Sequence, residues 1–459
     1  MAGRGGRILA VLAIGGLLSL LTPAVPAVAS PTPAATKTPI KHFLFLMQGD
    51  RSFDNYFGTY PGADGVARGV CQPQLTAKAP CVKPYALPNA ALAPLGANAS
   101  VVAKQYHNGK MDGFVSALQG VGRDGTKAMG YYDQRSLPAY WRAASQYVLF
   151  DRFFSSSRAG VRSNRAYWVS ATDAATTGTS QPATIFDRLQ AAGVSWKFYV
   201  QNLHPTKATS PGAKTGSNTQ DAAVPLLNYS RFTADPALRS HIVDLSQYYT
   251  DLQDGTLPAV AYFASSSASE RSSRSMSEGQ NLVVSLTGQL MLSRYWSSSA
   301  FLWSYDGSGG FYDHVLPPQV DAAGYGLRVP ALLISAYARR GLVDHNTLDY
   351  TSALAFIEQN WGLAPLASRD RRATSLVSAF NFSAAPRQPA LISNTALPPP
   401  QSKLKSTSIV FYSYGAAVGL VALAVGSAFG MSGLKRNRPT RSALAVPDAA
   451  AVKIGVDSR

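Results

Sequence analysis

Short apolar runs alternate with amphipathic stretches through the middle of this sequence. Helical patterns cover residues 184–192 and 277–292, the second with apolar residues at roughly helical spacing. Continuous apolar runs are typical of strands that are buried on both faces of a parallel sheet. Such runs span residues 43–47, 196–200, 259–263, 300–305 and 331–334. The alternation is that of βαβ units, so we predict an α/β domain with a mainly parallel central sheet over residues 40–382.

The first predicted strand ends abruptly in a polar cluster. Gly49, Asp50 and Arg51 follow it directly, and ligands in open α/β sheets bind just beyond the carboxyl ends of strands. Asp50 and Arg51 are therefore candidate site residues. The alternative interpretation is a loop followed by a short helix over residues 53–57, N-capped by Ser52.

The two ends of the chain differ from the central domain. Residues 1–29 combine a positive start, an apolar stretch and the small-residue sequence Ala27-Val28-Ala29. This pattern predicts a cleaved signal peptide, with an uncleaved anchor as the alternative. Residues 30–39 are predicted to be a mobile Pro/Thr/Ala linker, and residues 383–408 a proline-rich stalk.

The apolar run over residues 409–431 contains no charged residue and is long enough to span a bilayer. A buried core helix is the alternative. More Lys and Arg residues follow this run than precede it, so we expect the basic tail, residues 432–459, to be cytoplasmic. Together with the signal peptide, the run predicts a single-pass protein of the cell membrane, in contact with the bilayer through this helix and with an extracytoplasmic large domain.

Composition and charge narrow the expected partners. Charged residues make up only 15% of the chain and apolar residues 46%, which argues against general disorder. The net charge of +17 suits an anionic lipid, a phosphate ester or a wall polymer. No basic repeat, zinc-finger spacing or RNA-binding signature is present, so we expect no nucleic-acid partner. Cys71 and Cys81 lie close together and would form one disulfide in an exported protein.

Five ordered blocks of sequence carry a family resemblance. The first, residues 46–58, reads LMQGDRSFDNYFG, and the others span residues 106–115, 129–165, 304–318 and 326–345. These blocks resemble those of the bacterial phosphoesterase family that includes phospholipase C and related acid phosphatases. The resemblance implies an alkaline-phosphatase-like α/β/α sandwich and the hydrolysis of phosphate esters or phospholipids. It also implies a Ser or Thr nucleophile held against a metal ion.

The nucleophile of that family is missing here. In the register of the third block, Val161 stands at the nucleophile position. Valine has nearly the shape of threonine but no oxygen with which to attack or to bind a metal. Ser157 and Ser163 lie nearby in sequence, and either one requires a different backbone to take over the role.

The metal ligands implied by the resemblance are also substituted. The Glu and Asn of the first block read Gly49 and Asp50, and the acidic pair of the fourth block reads Asp306 and Gly307. A hard cation prefers several oxygen ligands, so Asp50 and Asp306 alone make a weak site. We therefore expect no bound metal, with one divalent ion on these two aspartates as the alternative.

Two further positions matter in the same comparison. The family's Glu-His pair reads Glu270 and Arg271 here, and an arginine cannot act as a base because it is always protonated. His314 is retained, with a structural hydrogen-bonding role or a catalytic one as the two interpretations.

The sequence thus predicts an exported, membrane-anchored family member with a degraded site that binds an anionic ligand. Guanidinium groups suit anionic oxygens, and the expected ligand-binding residues are Arg51, Arg162, Asn164, Arg165 and Arg271. One alternative is an active hydrolase with an atypical metal site, in which a water or Ser163 attacks. Another is a structural envelope protein.

Overall fold

The computed structural model describes residues 35–88, 92–96, 98–176, 180–203, 223–265, 270 and 275–394, together with Gly3. These residues all fall within one structural unit, Met1–Leu397. The predicted signal peptide, most of the linker, the end of the stalk and the basic tail lie outside the described residues, and their boundaries stay predictions.

One large sheet organises the described residues. The strands are β1 (His42–Gln48), β2 (Tyr85–Ala86), β3 (Gly130–Tyr131), β4 (Val148–Phe150), β5 (Trp196–Val200), β6 (Ile242–Asp244), β7 (Val260–Ala264), β8 (Ser299–Tyr305), β9 (Ala331–Ser335) and β10 (Leu342–Asp344). All except β2 and β3 form the sheet, in the order β10-β4-β9-β8-β1-β7-β5-β6. Only β9 runs antiparallel to its neighbours within this described sheet. The predicted α/β class with a mainly parallel sheet is therefore confirmed.

The central strand shows why the apolar runs predicted strands. Every residue of β1 after His42 is buried, and β1 pairs in parallel with β7 on one side and β8 on the other. A strand that is covered on both faces carries apolar side chains on both, so it reads as a continuous apolar run. The five predicted strands match β1, β5, β7, β8 and β9 to within one residue at each end.

Helices cover the sheet and its carboxyl edge. They are α1 (Phe53–Phe57), α2 (Ala99–Tyr106), α3 (Phe114–Gln119), α4 (Pro138–Gln146), α5 (Val161–Ser170), α6 (Ile185–Ala191), α7 (Ser230–Ala234), α8 (Pro236–Arg239), α9 (Ser246–Asp254), α10 (Ser275–Leu292), α11 (Tyr350–Trp361) and α12 (Ser368–Arg372). Helix α6 begins in a capping box between Thr184 and Asp187. Helix α10 buries Val283, Leu286 and Leu290, which is the helical spacing that the sequence predicts.

Parallel strands bring the candidate residues to one edge of the sheet. β1, β4, β7 and β8 run in the same direction, so their carboxyl ends meet at the same edge. The backbone N–H of Asp306, just after β8, donates to the carbonyl oxygen of Gln48 at 3.1 Å. A small separate core, built mainly by α2 and α3, packs with Phe311 and Leu327 near this edge. The loop before α2 contains the predicted disulfide between Cys71 and Cys81.

The predicted membrane topology requires a correction. In the ranges that the structure describes, no helix combines the length and the apolar character needed to cross a bilayer. On this finding the predicted localisation, a single-pass protein of the bacterial cell membrane with its large domain outside, is wrong. Length and apolar composition are conditions for a spanning helix but do not establish one. The apolar run over residues 409–431, on which the prediction rested, lies outside the described residues.

The burial of β8 gives the first testable prediction. Leu302 is fully buried and Leu292, at the end of α10, is 70% exposed. We expect Leu302→Ala to lower the free energy of unfolding by about 2–5 kcal/mol, because the truncation leaves a cavity in the core. The matched change Leu292→Ala is expected to stay within about 0.5 kcal/mol. Urea unfolding followed by fluorescence measures both, and equal effects would contradict this placement of β8.

Candidate functional site

A small cavity lies at the carboxyl edge of the sheet, beyond β1 and β8. Its volume is about 130 Å³, and its polar and substituted lining residues include Asp50, Ser157, Arg158, Val161, Asn164 and Gly307. Asp50 follows β1, Gly307 follows β8, and Val161 begins α5. The fold therefore brings together several residues that are far apart in sequence and that the family resemblance singles out.

The loops after β1 and β8 approach each other closely. Asp50 has a positive φ of 59°, and a Cβ built on Gly309 would lie 2.8 Å from the Asp50 carbonyl oxygen. Glycine at this position, with its own positive φ of 64°, permits both the approach and the turn. A Cβ on Gly307 would lie 3.4 Å from Oδ1 of Asp50, so the residue after Asp306 borders the Asp50 carboxylate directly.

Helix α5 points its amino terminus at the cavity. Gly160, with φ of 98°, is its N-cap residue and provides no side-chain cap. Val161 is half-buried and lines the cavity, so apolar methyl groups stand at the position where the family resemblance implies a hydroxyl. The first N–H groups of a helix have no acceptor within the helix, and they carry the positive end of its dipole.

The two nearby serines have partners within the protein. Ser157 lines the cavity, and its hydroxyl accepts a hydrogen bond from the backbone N–H of Ala159 at 3.0 Å. Ser163 is buried behind the first turn of α5, is not part of the cavity lining, and donates to Asp173. The backbone therefore does not place Ser163 where the missing nucleophile would be.

Asp306 faces an arginine. Nε of Arg165 donates to Oδ2 of Asp306 at 2.6 Å, and both side chains are buried. A terminal nitrogen of Arg165 also donates to the carbonyl oxygen of Ala223 at 2.6 Å. The Asn164 side chain connects two backbone segments. Its Oδ1 accepts a hydrogen bond from the backbone N–H of Ser157 at 2.7 Å, and its Nδ2 donates to the carbonyl oxygen of Asp306 at 3.0 Å. Asp306 itself does not line the cavity.

Arg51 lies away from the cavity lining. It is fully buried and donates to the hydroxyl of Tyr56 at 3.0 Å and to the carbonyl oxygens of Asp50 and Leu92 at 2.7 and 2.8 Å. These bonds join the loop after β1 to the segment that precedes α2. Its placement in the structure is therefore that of a scaffold residue.

Glu270 is a buried carboxylate in the same region. It accepts hydrogen bonds from the hydroxyls of Tyr56, Tyr140 and Tyr305. Burial raises the pKa of Glu270, while the charge of Arg51 and the three hydroxyl donors oppose the rise. Its sequence neighbour Arg271 lies outside the described residues. Arg162 is exposed on α5 and does not line the cavity.

A second charged cluster, which sequence reasoning did not assemble, lies around α1. Ligand atoms of Asp54, Asp313 and His314 lie within 4.8 Å of one another, a group that can hold a metal ion by residue type. Arg328, however, donates to Asp54 Oδ1 and to Asp313 Oδ1, both at 2.9 Å. The guanidinium already supplies the positive charge between the two carboxylates, so the arrangement does not fit an added cation. Asp54 and Arg328 are 274 positions apart, and no local sequence pattern links them.

Two pKa values in this cluster lie above their ordinary values. Burial raises the pKa of Asp313 to about 6, against the opposing charge of Arg328. Burial alone would lower the pKa of His314, but the hydrogen bond to Asp54, 2.8 Å from Nδ1, and the Asp54 charge hold it above its ordinary value. Asp64 also faces His314, 3.2 Å from Nε2. His314 is thus held in a structural network that supports the edge.

The buried pair beside the cavity gives a second prediction. Arg165→Met removes the partner of a fully buried carboxylate, and we expect the free energy of unfolding to fall by about 3–5 kcal/mol. Arg162→Met on the exposed face of the same helix is the matched control, expected within about 0.5 kcal/mol.

Adding Asp306→Asn to Arg165→Met is expected to recover part of the loss, because the double change no longer leaves a buried charge without this partner. Chemical denaturation of the four proteins measures the coupling. Additive effects of the two substitutions would contradict the pairing.

The raised pKa of His314 gives a third prediction. A histidine whose folded pKa is raised contributes stability that is complete below its unfolded pKa and is lost as pH rises through the folded pKa. We expect the wild type to lose stability above about pH 6.5, and His314→Gln to flatten this slope. The pKa of Asp313 is raised to about 6, so its effect on the pH dependence of stability falls mostly below the pH range in which His314 loses its proton. Thermal unfolding across pH measures the slope, and a slope in His314→Gln equal to that of the wild type would contradict the prediction.

The comparisons with known proteins agree with the motif blocks. The model of the Phosphoesterase family matches residues 40–364. Phospholipase C B of Mycobacterium tuberculosis (strain ATCC 25618 / H37Rv) is 29% identical, over 81% of this chain and 84% of that protein. Non-hemolytic phospholipase C of Burkholderia pseudomallei is 27% identical, over 82% of this chain and 64% of that protein.

A solved structure of a protein in the alkaline phosphatase superfamily from Vibrio parahaemolyticus is also similar. It covers 72% of this chain and 70% of its own, with 12% identity and a TM-score of 0.36, which is too low to support an inference about the site. The family match spans well over half of this chain and confirms the resemblance that the sequence blocks predict. The chain belongs to the Phosphoesterase family.

Proposed function

We propose that this protein binds phosphate esters in the cavity beside α5 without hydrolysing them. The observation that carries the proposal is Val161, which lines the cavity at the start of that helix. Hydrolysis through a covalent intermediate needs an oxygen or sulfur nucleophile at the reacting phosphorus. The valine methyl groups cannot attack, and they cannot bind a metal.

The acidic residues around the cavity support the same conclusion. Asp306 is paired with Arg165, and the positions beside the two aspartates are Gly49 and Gly307, which have no side-chain oxygen. Asp50 is the carboxylate that lines the cavity in the described part of the chain. A divalent cation such as Ca²⁺ takes several oxygen ligands, so a resident metal does not fit this donor set.

The groups that remain favour an anionic oxygen. The amino terminus of α5 offers N–H groups and the positive end of the helix dipole. Arg158 lines the cavity and is half-buried, and its Nε donates to the carbonyl oxygen of Tyr325 at 3.0 Å. The Tyr106 ring lies 4.8 Å from its guanidinium carbon. Among the described residues Arg158 has no salt-bridge partner, so its charge can pair with a phosphoryl oxygen.

A larger groove next to the cavity indicates what the ester carries. The groove encloses about 680 Å³, shares Ser157 and Arg158 with the cavity, and has Val102, Tyr106 and Leu316 on its walls. An apolar wall beside an anion site suits a phosphate ester with an apolar substituent. The relatives are named phospholipases C, so we propose a lipid-like phosphate ester as the ligand class.

One observation favours a second candidate. Asp50 and Ser157 line the same cavity, so a cation on Asp50 and an attacking water would give an active hydrolase with an atypical site. Hydrolysis measurements separate the two candidates, because the preferred one predicts binding without turnover.

The experiment tests turnover and binding on the same full-length protein. We expect no hydrolysis of p-nitrophenyl phosphate or phosphatidylcholine above that of Asp50→Ala, with calcium, zinc or iron added. Dodecyl phosphate is expected to bind with an affinity that falls about tenfold in Arg158→Gln, because a charge-assisted hydrogen bond is lost. Arg162→Gln, an exposed arginine four positions further on, is the matched control. Metal-dependent hydrolysis that disappears in Asp50→Ala would overturn the proposal in favour of the second candidate.

A rebuilt site provides an independent check. The combined changes Gly49→Glu, Asp50→Asn, Val161→Thr and Gly307→Asp restore the residue types that the family motifs carry. Measurable phosphatase activity in this variant, with none in the wild type, would show that the scaffold is intact and that the substitutions alone remove the chemistry. Unchanged binding of dodecyl phosphate to Val161→Thr confirms that the valine is not needed for the ligand.

A further inference from the structure

A second cavity lies at the edge of the sheet opposite to the first. β9 runs antiparallel to β8, so Ser335 at its end pairs with Ala300 at the start of β8. The first cavity lies beyond the carboxyl end of β8, next to Gly307. Asp306 lies six positions after Ala300, a distance of about 20 Å along an extended strand. The second cavity is therefore distinct from the site of the proposed function, and the inference drawn from it does not depend on that proposal.

Three arginines surround this second cavity, which encloses about 230 Å³. The arginine triplet, as we name it, consists of Arg339, Arg340 and Arg387. Arg339 and Arg340 belong to the turn between β9 and β10, and Arg387 lies in the segment that follows α12. The backbone N–H of Arg387 donates to the carbonyl oxygen of Ala336 at 2.9 Å, which holds the two segments side by side.

Backbone carbonyls fix two of these side chains in place. Nε of Arg339 donates to the carbonyl oxygens of Ser378 and Phe380 at 3.1 and 3.2 Å. A terminal nitrogen of Arg387 donates to the carbonyl oxygen of Gln146, at the end of α4, at 3.2 Å. The positions of Arg339 and Arg387 are thus set by the fold before any ligand binds, which reduces the conformational entropy that a ligand would have to remove.

The positive charges of the triplet are not neutralised locally. In the described part of the chain, none of the three arginines forms a salt bridge, and the buried Nε of Arg387 has no acceptor. Burial lowers the pKa of Arg387; the nearby Tyr147 raises it, and the positive charge of Arg340 lowers it further. Holding like charges together costs free energy, and a bound anion would offset that cost.

We propose that the arginine triplet binds a phosphate group, either as inorganic phosphate or on a small phosphate monoester. Guanidinium groups present planar forks of N–H donors that match phosphate oxygens. Three arginines from two chain segments line one cavity, and a tetrahedral phosphate has enough oxygens to accept a hydrogen bond from each of them. A carboxylate has two oxygens in one plane and leaves the third arginine without an acceptor.

Isothermal titration of the full-length protein with inorganic phosphate tests the proposal. Arg158→Gln serves as the background, because it weakens binding at the first cavity about tenfold. We expect one phosphate to bind, and Arg340→Gln in this background to weaken it about tenfold or more. Arg372→Gln is the matched control, because Arg372 is an exposed arginine on α12 outside the cavity lining. Equal weakening by both changes, or none by Arg340→Gln, would overturn the proposal.

A stability measurement gives a second readout that does not depend on the binding signal. Without phosphate, Arg340→Gln should raise Tm slightly, because it removes a like-charge contact at an exposed side chain. With saturating phosphate the parent Tm should rise and that of Arg340→Gln should not. Sodium chloride at the same ionic strength controls for screening.

Two further ligands identify the chemistry of the site. Glycerol 3-phosphate tests whether the phosphate is esterified: tighter binding than inorganic phosphate supports a monoester, and weaker binding supports free phosphate. Acetate tests the anion class. Acetate affinity equal to that of phosphate would overturn the assignment to a tetrahedral anion, and an acetate affinity at least about tenfold lower supports it.

Discussion

The buried ion pair between Arg165 and Asp306 is the contact on which the candidate site depends. It joins the second turn of α5 to the residue that follows β8, and Asn164 adds a bridge from Asp306 to Ser157. Two desolvated charges stabilise a fold only when their geometry is good and their remaining donors are bonded. Here the Arg165 guanidinium reaches both a carboxylate and a backbone carbonyl. The same pair that positions the helix also turns the Asp306 carboxylate away from the cavity.

Much of the sheet could be predicted from the sequence, and the parts that could not are short. β1, β7, β8 and β9 each bury at least five residues in a row, and β5 buries four of its five residues, so their apolar runs stand out. β4, β6 and β10 have three residues each, and a stretch of three residues is too short to show a periodic pattern of apolar and polar positions. β6 and β10 also form the two edges of the sheet. Their place in the fold is set by pairing with distant strands.

The site was harder to predict because side chains that are adjacent in sequence point to different environments in the structure. Asp50 lines the cavity, whereas Arg51 turns into the core. Arg162 is exposed, whereas Arg165 is buried three positions later on the same helix, although residues three apart lie on nearly the same helix face. The sequence could identify Asp306 as a candidate ligand, but only the tertiary structure shows that Arg165 is its partner. The role of Arg328 depends on contacts with Asp54 and Asp313 in the same way.

These contacts explain why some motif residues persist while others have changed. Arg51, Asp54, Arg165, Asp313 and Arg328 are all buried, and replacing any one of them would leave a buried polar or charged partner without its hydrogen bond. Val161 and Gly307 instead border the cavity, where a change of side chain leaves no buried charge unpaired. Stability alone therefore retains the first group and is indifferent to the second. The buried contacts of the family's motif residues explain why these residues remain in this chain, so their presence is not by itself evidence of catalysis.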